Sequence, residues 1–127
     1  MAAGEGIETV LSLRTVLPTL PMVAALSSAH LAALILPTGL QRLYIAEDND
    51  TAGRRAAADL ATRAAALGIE AIVLTASFGD FNDDLRHLGP DHLRATIRLQ
   101  IVPEDVERFP ECWTPPMASG PAIRTIG

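Results

Sequence analysis

Acidic residues are concentrated in three short segments of this sequence, and carboxylates are side chains well suited to chemistry on phosphates. The segments are "EGIE" at 5–8, "EDND" at 47–50 and "GDFNDD" at 79–84. Asp48 and Asp50 are two residues apart, so on an extended chain both carboxylates point to one side while Glu47 points to the other. We therefore expect Asp48 and Asp50 to serve one site.

Carboxylates that lie within a few ångströms of one another repel, so either some of them take up a proton or a cation lies between them. Clustered oxygen ligands with no cysteine or histidine nearby favour Mg²⁺ or Mn²⁺ over zinc. The alternative for each acid is a cap at a helix N-terminus, where the helix dipole favours negative charge. That alternative explains one acid well, but it explains three acidic segments at one edge less well.

Four residues beside the acids are candidates for contacts with phosphate. Gly53 and Gly79 lack a side chain, which would let a phosphate or a metal approach the backbone, although Gly53 could equally close a tight turn. Arg54 and Arg55 could contact phosphate or template, but a solvated helix face explains them at least as well.

Alternating strand and helix patterns place the acidic segments at one edge of a sheet. Strands are predicted at 21–27, 41–48 and 70–77, preceded by a short first strand that ends at Glu5. Helices are predicted at 7–17, 28–37 and 51–68, followed by one or two short helices that reach about residue 100. This alternation is typical of a parallel α/β sheet with helices on both faces. Ligands of such sheets bind at the carboxyl ends of the strands, so the three segments should converge.

The charge of the chain restricts what it can do alone. Fifteen acids oppose ten basic residues, all of them arginine, and the net charge is -5. Proteins that hold nucleic acid unaided are usually basic, because neutralising phosphates supplies most of the sequence-independent affinity. We therefore expect a metal or a partner to provide that affinity. The absence of lysine from the sequence excludes a P-loop, a Schiff base and a lysine adenylate.

Residues 1–100 are expected to form one domain. Residues 101–127 hold five of the nine prolines and show no sustained period, which predicts an extended or disordered tail that packs only through Phe109 and Trp113. No apolar run reaches the ~18 residues that span a bilayer, and "MAAGEGIETV" lacks the features of a signal peptide. A soluble, cytoplasmic protein is expected, with no membrane partner.

The cysteine and the histidines are not expected to serve the site. Cys112 is single and lies in the proline-rich segment, so it can form neither an internal disulfide nor a cysteine-based zinc site. His30, His87 and His92 lie on predicted helices away from the acidic edge, at spacings unlike those of a zinc pair.

The stretches "EGIET", "YIAEDNDTAGRRAA" and "GDFND" resemble the three signature stretches of the Toprim domain, the catalytic module of topoisomerases, bacterial-type primases and related nucleases. The resemblance covers roughly residues 4–90 and is strongest to primases and primase-helicases of plasmids and phages. It implies a Rossmann-like three-layer α/β fold with a parallel sheet of about four strands. Because four residues precede Glu5, the first strand is expected to be truncated.

The resemblance also implies roles for individual residues. Glu5 matches the glutamate at the end of the family's first strand, which acts in acid/base chemistry or helps to hold metal. Asp48 and Asp50 match the Asp-x-Asp pair that binds Mg²⁺. Asp80 and Asp83 match the later acidic stretch, which contributes to the same metal cluster. The implied catalytic residues are Glu5, Asp48 and Asp50, and the weaker candidates are Glu8 and Glu47.

The activity implied by the resemblance is metal-assisted phosphoryl or nucleotidyl transfer, with Mg²⁺ or Mn²⁺ stabilising charge while a 3′-hydroxyl attacks an incoming nucleotide. Primer synthesis on a DNA template is the favoured form, and a Toprim nuclease would use the same ions to activate water. The chain carries no zinc ribbon, basic domain or helicase motif. The expected partners are therefore DNA, nucleotides, and other domains or a helicase or replication subunit.

Two other interpretations remain. A truncated Toprim remnant would act as a non-catalytic binding or assembly module, which the short first strand and the negative charge favour. A receiver-like phosphoacceptor domain also gathers acids at strand ends, but its site needs a lysine, and this sequence has none.

Overall fold

The structure is a computed structural model that describes residues 1–113. Four strands and five α-helices alternate along this part of the chain. In chain order they are β1 (Ala2–Gly4), α1 (Ile7–Val16), β2 (Met22–Ala24), α2 (Ser28–Ala32), β3 (Arg42–Ala46), α3 (Thr51–Ala66), β4 (Glu70–Leu74), α4 (Phe81–Arg98) and α5 (Pro103–Arg108), with a short 3₁₀ turn at Pro110–Cys112.

The four strands form one parallel sheet in the order β2-β1-β3-β4. The first connection runs from β1 outward to β2, and the next returns across β1 to reach β3. The strand order therefore reverses between β1 and β3, which creates a crevice at their carboxyl ends where ligands of open α/β sheets bind. The Rossmann-like α/β fold expected from the sequence is confirmed.

Side chains alternate along the strands, so each face of the sheet has its own core. On one face, Ala2, Tyr44 and Ala46 pack with residues of α1 and α4. On the other, Ala3, Leu43 and Ile45 pack with residues of α2 and α3. This two-residue period produces the three layers of the fold.

The first strand is short, but it is fully paired. Ala2, Ala3 and Gly4 each have a partner in both β2 and β3, and all three residues are buried. The strand lies in the interior of the sheet, so its three residues receive support from both sides. Glu5, which follows it, is thereby attached to the centre of the fold.

Two helices differ from the sequence-based prediction. The helix predicted at 28–37 ends at Ala32, and the guanidinium of Arg63 donates hydrogen bonds to the carbonyls of Ala32 and Leu34 at 2.5 and 2.8 Å. These bonds satisfy carbonyls that a longer helix would have paired internally. The helix α4 is interrupted at Gly89, which has φ 83°, ahead of Pro90. The prediction of one or two helices there agrees with this break.

The prediction of an extended or disordered tail is wrong for residues 101–113. Pro103–Arg108 is helical, and Ile101 and Cys112 are buried in the same core as Tyr44. The Tyr44 hydroxyl donates a 2.6 Å hydrogen bond to Asp105, so a tertiary contact orders a segment that shows no sequence period. Residues 114–127 lie outside the described part of the chain.

Within residues 1–113, no helix is both long enough and apolar enough to cross a membrane.

Candidate metal and nucleic-acid site

The three acidic segments do follow three neighbouring strands of the sheet. Glu5 comes directly after β1, Asp48 comes two residues after β3, and Asp80 follows the loop after β4. Because the strands are parallel and adjacent, these segments occupy the same edge, at the crevice between β1 and β3. The helices α1, α3 and α4 begin at that edge and direct their N-termini toward it.

Asp48 is the acid most affected by its neighbours. Burial raises the pKa of its carboxyl group, and the hydrogen bond that Thr9 donates at 3.1 Å lowers it. The charges of Glu5, Asp50 and Asp80 raise the pKa further. Three other carboxylates therefore act on Asp48 at short range, and the net shift disfavours its ionised form.

Asp50 reaches this region by a turn and not by strand alternation. The strand β3 ends at Ala46, and the amide of Asp50 bonds the carbonyl of Asp48 at 2.9 Å. Asp50 is the N-cap of α3, and its carboxylate accepts a 2.6 Å hydrogen bond from the amide of Gly53. Strand alternation therefore does not place Asp48 and Asp50, because β3 ends at Ala46 and the chain bends before the cap at Asp50. The expectation that both acids serve one site stays a prediction.

Gly53 is a glycine because the first turn of α3 packs directly against Asp48. A Cβ at this position would lie 2.8 Å from the Asp48 Cβ and 2.9 Å from its backbone oxygen. No side chain fits at those distances without displacing Asp48. The structure thus explains Gly53 by helix packing, and its suggested role in phosphate contact stays a prediction.

Two hydroxyl groups orient the acids, and the sequence analysis missed both. Thr9 holds Asp48, and Ser28 donates a 2.8 Å hydrogen bond to the carboxylate of Glu5. Thr9 belongs to the "EGIET" stretch and lies four residues after Glu5, so its position was a usable signal. Ser28 offered no such signal, because the pairing depends on β2 lying beside β1.

Asp80 and Asp83 form a capping box at the start of α4. Asp80 accepts from the amide of Asp83 at 2.8 Å, and Asp83 accepts from the amide of Asp80 at 3.4 Å. The cap interpretation, left open for each acid, therefore describes both residues. Asp80 still contributes charge to the site, since it acts on Asp48. Asp83 is not among the charges that raise the pKa of Asp48.

The weaker candidate Glu8 contacts α4 instead of the acidic cluster. Its carboxylate accepts a 3.2 Å hydrogen bond from the side-chain amide of Asn82, whose oxygen accepts a longer bond of 3.5 Å from Ser12. These contacts join α1 to α4 near the site. Glu47 donates its amide to the carbonyl of Leu74, which extends the pairing of β3 with β4 by one residue.

Arg54 and Arg55, in the first turns of α3, are exposed beside the acids. Arg54 donates a 3.0 Å hydrogen bond to the side chain of Asn49. The side chain of Arg55 makes no hydrogen bond or ion pair within residues 1–113. Their exposure is compatible with phosphate contact and equally with a solvated face, so this prediction is also unresolved.

The chemistry of the donor set fits a hard divalent cation. Glu5, Asp48, Asp50 and Asp80 supply only oxygen, and they repel one another without a cation between them. Within the described residues, however, no three acidic, histidine or cysteine side chains are oriented as a ready ligand set.

A protein-family model described as the Toprim domain matches residues 1–91, which is well over half of the chain. This chain belongs to the Toprim domain family. Toprim domains are modules of metal-dependent proteins that act on nucleic acid, and they bind Mg²⁺ through acidic residues. No curated protein and no solved structure matches the chain. The family therefore supports the general chemistry and leaves the particular reaction to be proposed.

Proposed function

We propose that this Toprim domain carries out Mg²⁺- or Mn²⁺-dependent nucleotidyl transfer of the primase type, in which a DNA template directs RNA primer synthesis in plasmid or phage replication. The observation that supports the proposal most is the electrostatic environment of Asp48. Burial is the main cause that raises the pKa of Asp48, and three carboxylates from two other chain segments and its own loop raise it further, as expected where a divalent cation is to be held. The position at the strand-order reversal is where such a site belongs.

Each acid has a distinct role in this proposal. Asp48 and Asp50 hold the ion, and Glu5 either helps to hold it or accepts the proton of the attacking 3′-hydroxyl. Asp80 adds negative charge, while Asp83 supports the loop through the capping box. When bound, Mg²⁺ would stabilise negative charge on the transferred phosphoryl group. Thr9 and Ser28 keep the carboxylates of Asp48 and Glu5 in place.

The negative net charge of the chain indicates that other components hold the template. With -5 on the chain, electrostatic attraction to phosphates is weak overall. Arg54 and Arg55 are exposed next to the acids and would contact a phosphate locally. We propose that further domains, or a helicase or another replication subunit, supply the remaining affinity for DNA.

The first experiment measures metal binding by calorimetric titration of the protein with Mg²⁺ and Mn²⁺. The test variant is Asp48→Asn/Asp50→Asn, because asparagine removes the charge yet can still accept the hydrogen bonds from Thr9 and Gly53. We expect affinity to fall by more than about tenfold, since even outer-shell substitutions cost that much. Asp59→Asn, an exposed acid on α3, is the matched control. Equal, negligible heats for wild type and double variant would contradict the proposal.

The second experiment measures turnover with a single-stranded DNA template and ribonucleotides, with and without a candidate replication partner. Metal-dependent oligoribonucleotide synthesis that disappears in Asp48→Asn/Asp50→Asn supports the primase assignment. Metal-dependent shortening of the template would indicate a Toprim nuclease instead. Metal binding without either product would favour the non-catalytic binding or assembly module.

A further inference from the structure

Phe78 is the one exposed side chain among the phenylalanine, tyrosine and tryptophan residues of this protein. The chain has five phenylalanine, tyrosine and tryptophan residues, and all five lie within the described residues. Tyr44 and Phe81 are fully buried, and Phe109 and Trp113 pack against the core, whereas Phe78 is 59% exposed. A single exposed apolar side chain is ordinary, so exposure alone says little. The contacts that hold Phe78 in place are what indicate a role for its ring.

The backbone at Phe78 is held by a buried carboxylate. Asp84 is 0% exposed, and its two oxygens accept hydrogen bonds from the amides of Ser77 and Phe78 at 2.6 and 2.8 Å. Burying a carboxylate is costly unless such bonds replace its water. The loop that carries Phe78 is therefore attached to α4 at a defined position.

The ring itself is supported from one side. His87 of α4 packs edge-on against it, with ring centroids 5.5 Å apart and planes inclined by 62°. The Nδ1 of His87 donates to the carbonyl of Asp83 at 2.8 Å, because a carbonyl oxygen can only accept. His87, expected from the sequence to lie away from the acidic edge, thus contacts the loop that leads to that edge.

The ring lies close in sequence to the charged part of the site. Only Gly79 separates Phe78 from Asp80, the acid that acts on Asp48. A Cβ at Gly79 would clash with the carboxylate of Asp83, so a side chain at this position would require that carboxylate to move. An exposed aromatic ring two residues before Asp80, on a loop that Asp84 holds, is an arrangement that a nucleotide chain could use, with phosphate at the proposed metal site and base on the ring.

We propose that Phe78 is a stacking platform for a nucleobase of single-stranded nucleic acid bound at the acidic edge. The inference rests on the proposed function, and it adds a residue and a ligand group to that site. Stacking of a base on an aromatic side chain does not depend on positive charge and tolerates any base. It therefore suits a chain of net charge -5, for which phosphate neutralisation supplies little affinity.

The test measures binding of a fluorescently labelled single-stranded DNA oligonucleotide by anisotropy, with Mg²⁺ present. Phe78→Leu keeps an apolar side chain and removes the π-face, while Phe78→Trp keeps the π-face. We expect Phe78→Leu to weaken binding by about tenfold or more, the range found for loss of one base stack, and Phe78→Trp to bind at least as well as wild type. Leu67→Ala, another exposed apolar residue, is the control.

An abasic oligonucleotide of the same length separates stacking from phosphate contact. Wild type and Phe78→Leu should bind it equally, because it offers phosphates without bases. Equal binding of the ordinary oligonucleotide by wild type and Phe78→Leu would overturn the inference, as would a lack of oligonucleotide binding by the wild type.

The Mg²⁺ titration keeps the two proposals distinguishable. If Mg²⁺ binding depends on Asp48 and Asp50 but Phe78→Leu has no effect on DNA affinity, the stacking platform fails and the metal site stands. If DNA binding depends on Phe78 but the wild type binds no Mg²⁺, the stacking platform stands and the proposed function fails.

Discussion

Asp48 is the carboxylate of this Toprim domain whose pKa is raised both by burial and by three neighbouring carboxylates. It is half-buried, receives a hydrogen bond from Thr9, and experiences the charges of Glu5, Asp50 and Asp80. A carboxylate in such a place destabilises the folded protein when it is ionised and unpaired with a cation. This environment is consistent with the proposed role of Asp48 in holding a cation.

The pH dependence of stability tests this view. Because the folded-state pKa of Asp48 is raised above its ordinary value of 3.8, the folded protein binds more protons than the unfolded protein between the two values. The contribution of Asp48 to stability consequently falls as the pH rises through that window. We expect Asp48→Asn to unfold at a higher temperature than wild type at neutral pH in a chelator, and the difference to shrink below pH 3.8.

Millimolar Mg²⁺ should reduce the difference in unfolding temperature between Asp48→Asn and wild type, because it should stabilise the wild type selectively. Thermal unfolding followed by circular dichroism measures both effects, and Asp59→Asn serves as the control for removing an exposed acid. A lower unfolding temperature of Asp48→Asn at neutral pH without metal would contradict the prediction.

The first turn of α3 contacts both Asp48 and Asp50, so the position of this helix affects the positions of both acids. Asp50 caps the helix, and the buried Gly53 allows its first turn to pack on Asp48. Both interactions depend on the turn between β3 and α3, and together they set where the two acids lie. A substitution that moves this turn should act on stability and on metal binding at once.

Gly53→Ala is the sharpest probe of that turn. In an ordinary helix interior the change would stabilise by about 1 kcal/mol. Here the added Cβ would meet Asp48 at 2.8 Å, and such overpacking costs about 1–3 kcal/mol. We expect a net loss of up to roughly 2 kcal/mol in the free energy of unfolding, measured by urea titration, together with weaker Mg²⁺ binding.

Gly6→Ala provides the comparison, because a Cβ at Gly6 has nothing within 4 Å. That variant should change stability only slightly. A Gly53→Ala protein more stable than wild type would show that the turn can relax without cost, and the packing explanation would be wrong.

The acidic segments and the contacts that hold α5 lie at opposite ends of the sheet. The carboxyl ends of the strands carry the acids, while near their amino ends Arg42 and Tyr44 bind Asp105 of α5 at 3.0 and 2.6 Å. The Tyr44 hydroxyl also accepts from the amide of Val102 at 3.2 Å. This cluster attaches the last described segment to the sheet on the side of α1 and α4.

Tyr44→Phe should loosen that attachment and leave the proposed metal site unchanged. The change leaves the buried Asp105 and the amide of Val102 without their hydroxyl partner, which costs about 1–3 kcal/mol. Urea unfolding measures the loss, and hydrogen exchange should show faster exchange in α5. Mg²⁺ affinity should equal that of the wild type. A variant with unchanged stability would show that Arg42 alone is sufficient to hold Asp105.

Much of the sheet could be predicted because it depends on local pattern. The strand segments around Leu43–Ala46 and the long helix that ends before Gly68 follow from apolar runs, helix-forming residues and a glycine with positive φ, here 78°. The ends of elements were harder to predict. The short helix α2 is limited by Arg63, and α5 is ordered by Tyr44, and both partners are distant in sequence.

In the candidate site, too, some features follow from local sequence pattern and others depend on residues that are distant in sequence. Residue types and spacing identified the three acidic segments, and the parallel sheet predicted their shared edge. Local geometry then changed the explanation for Asp50, which lies at a helix cap instead of on a strand. Thr9 and Ser28 were missed because a hydroxyl group acquires its role from the acid that folding brings beside it.

The sequence by itself therefore determined the fold class, the family and the edge at which the acids collect, since these depend on periodicity and on residue type. Only the tertiary structure decided which acid is buried, which hydroxyls orient the carboxylates, and that the last segment joins the core. Burial, charge coupling and hydrogen bonds between distant residues are properties of the folded chain, because they require groups far apart in sequence to come within a few ångströms.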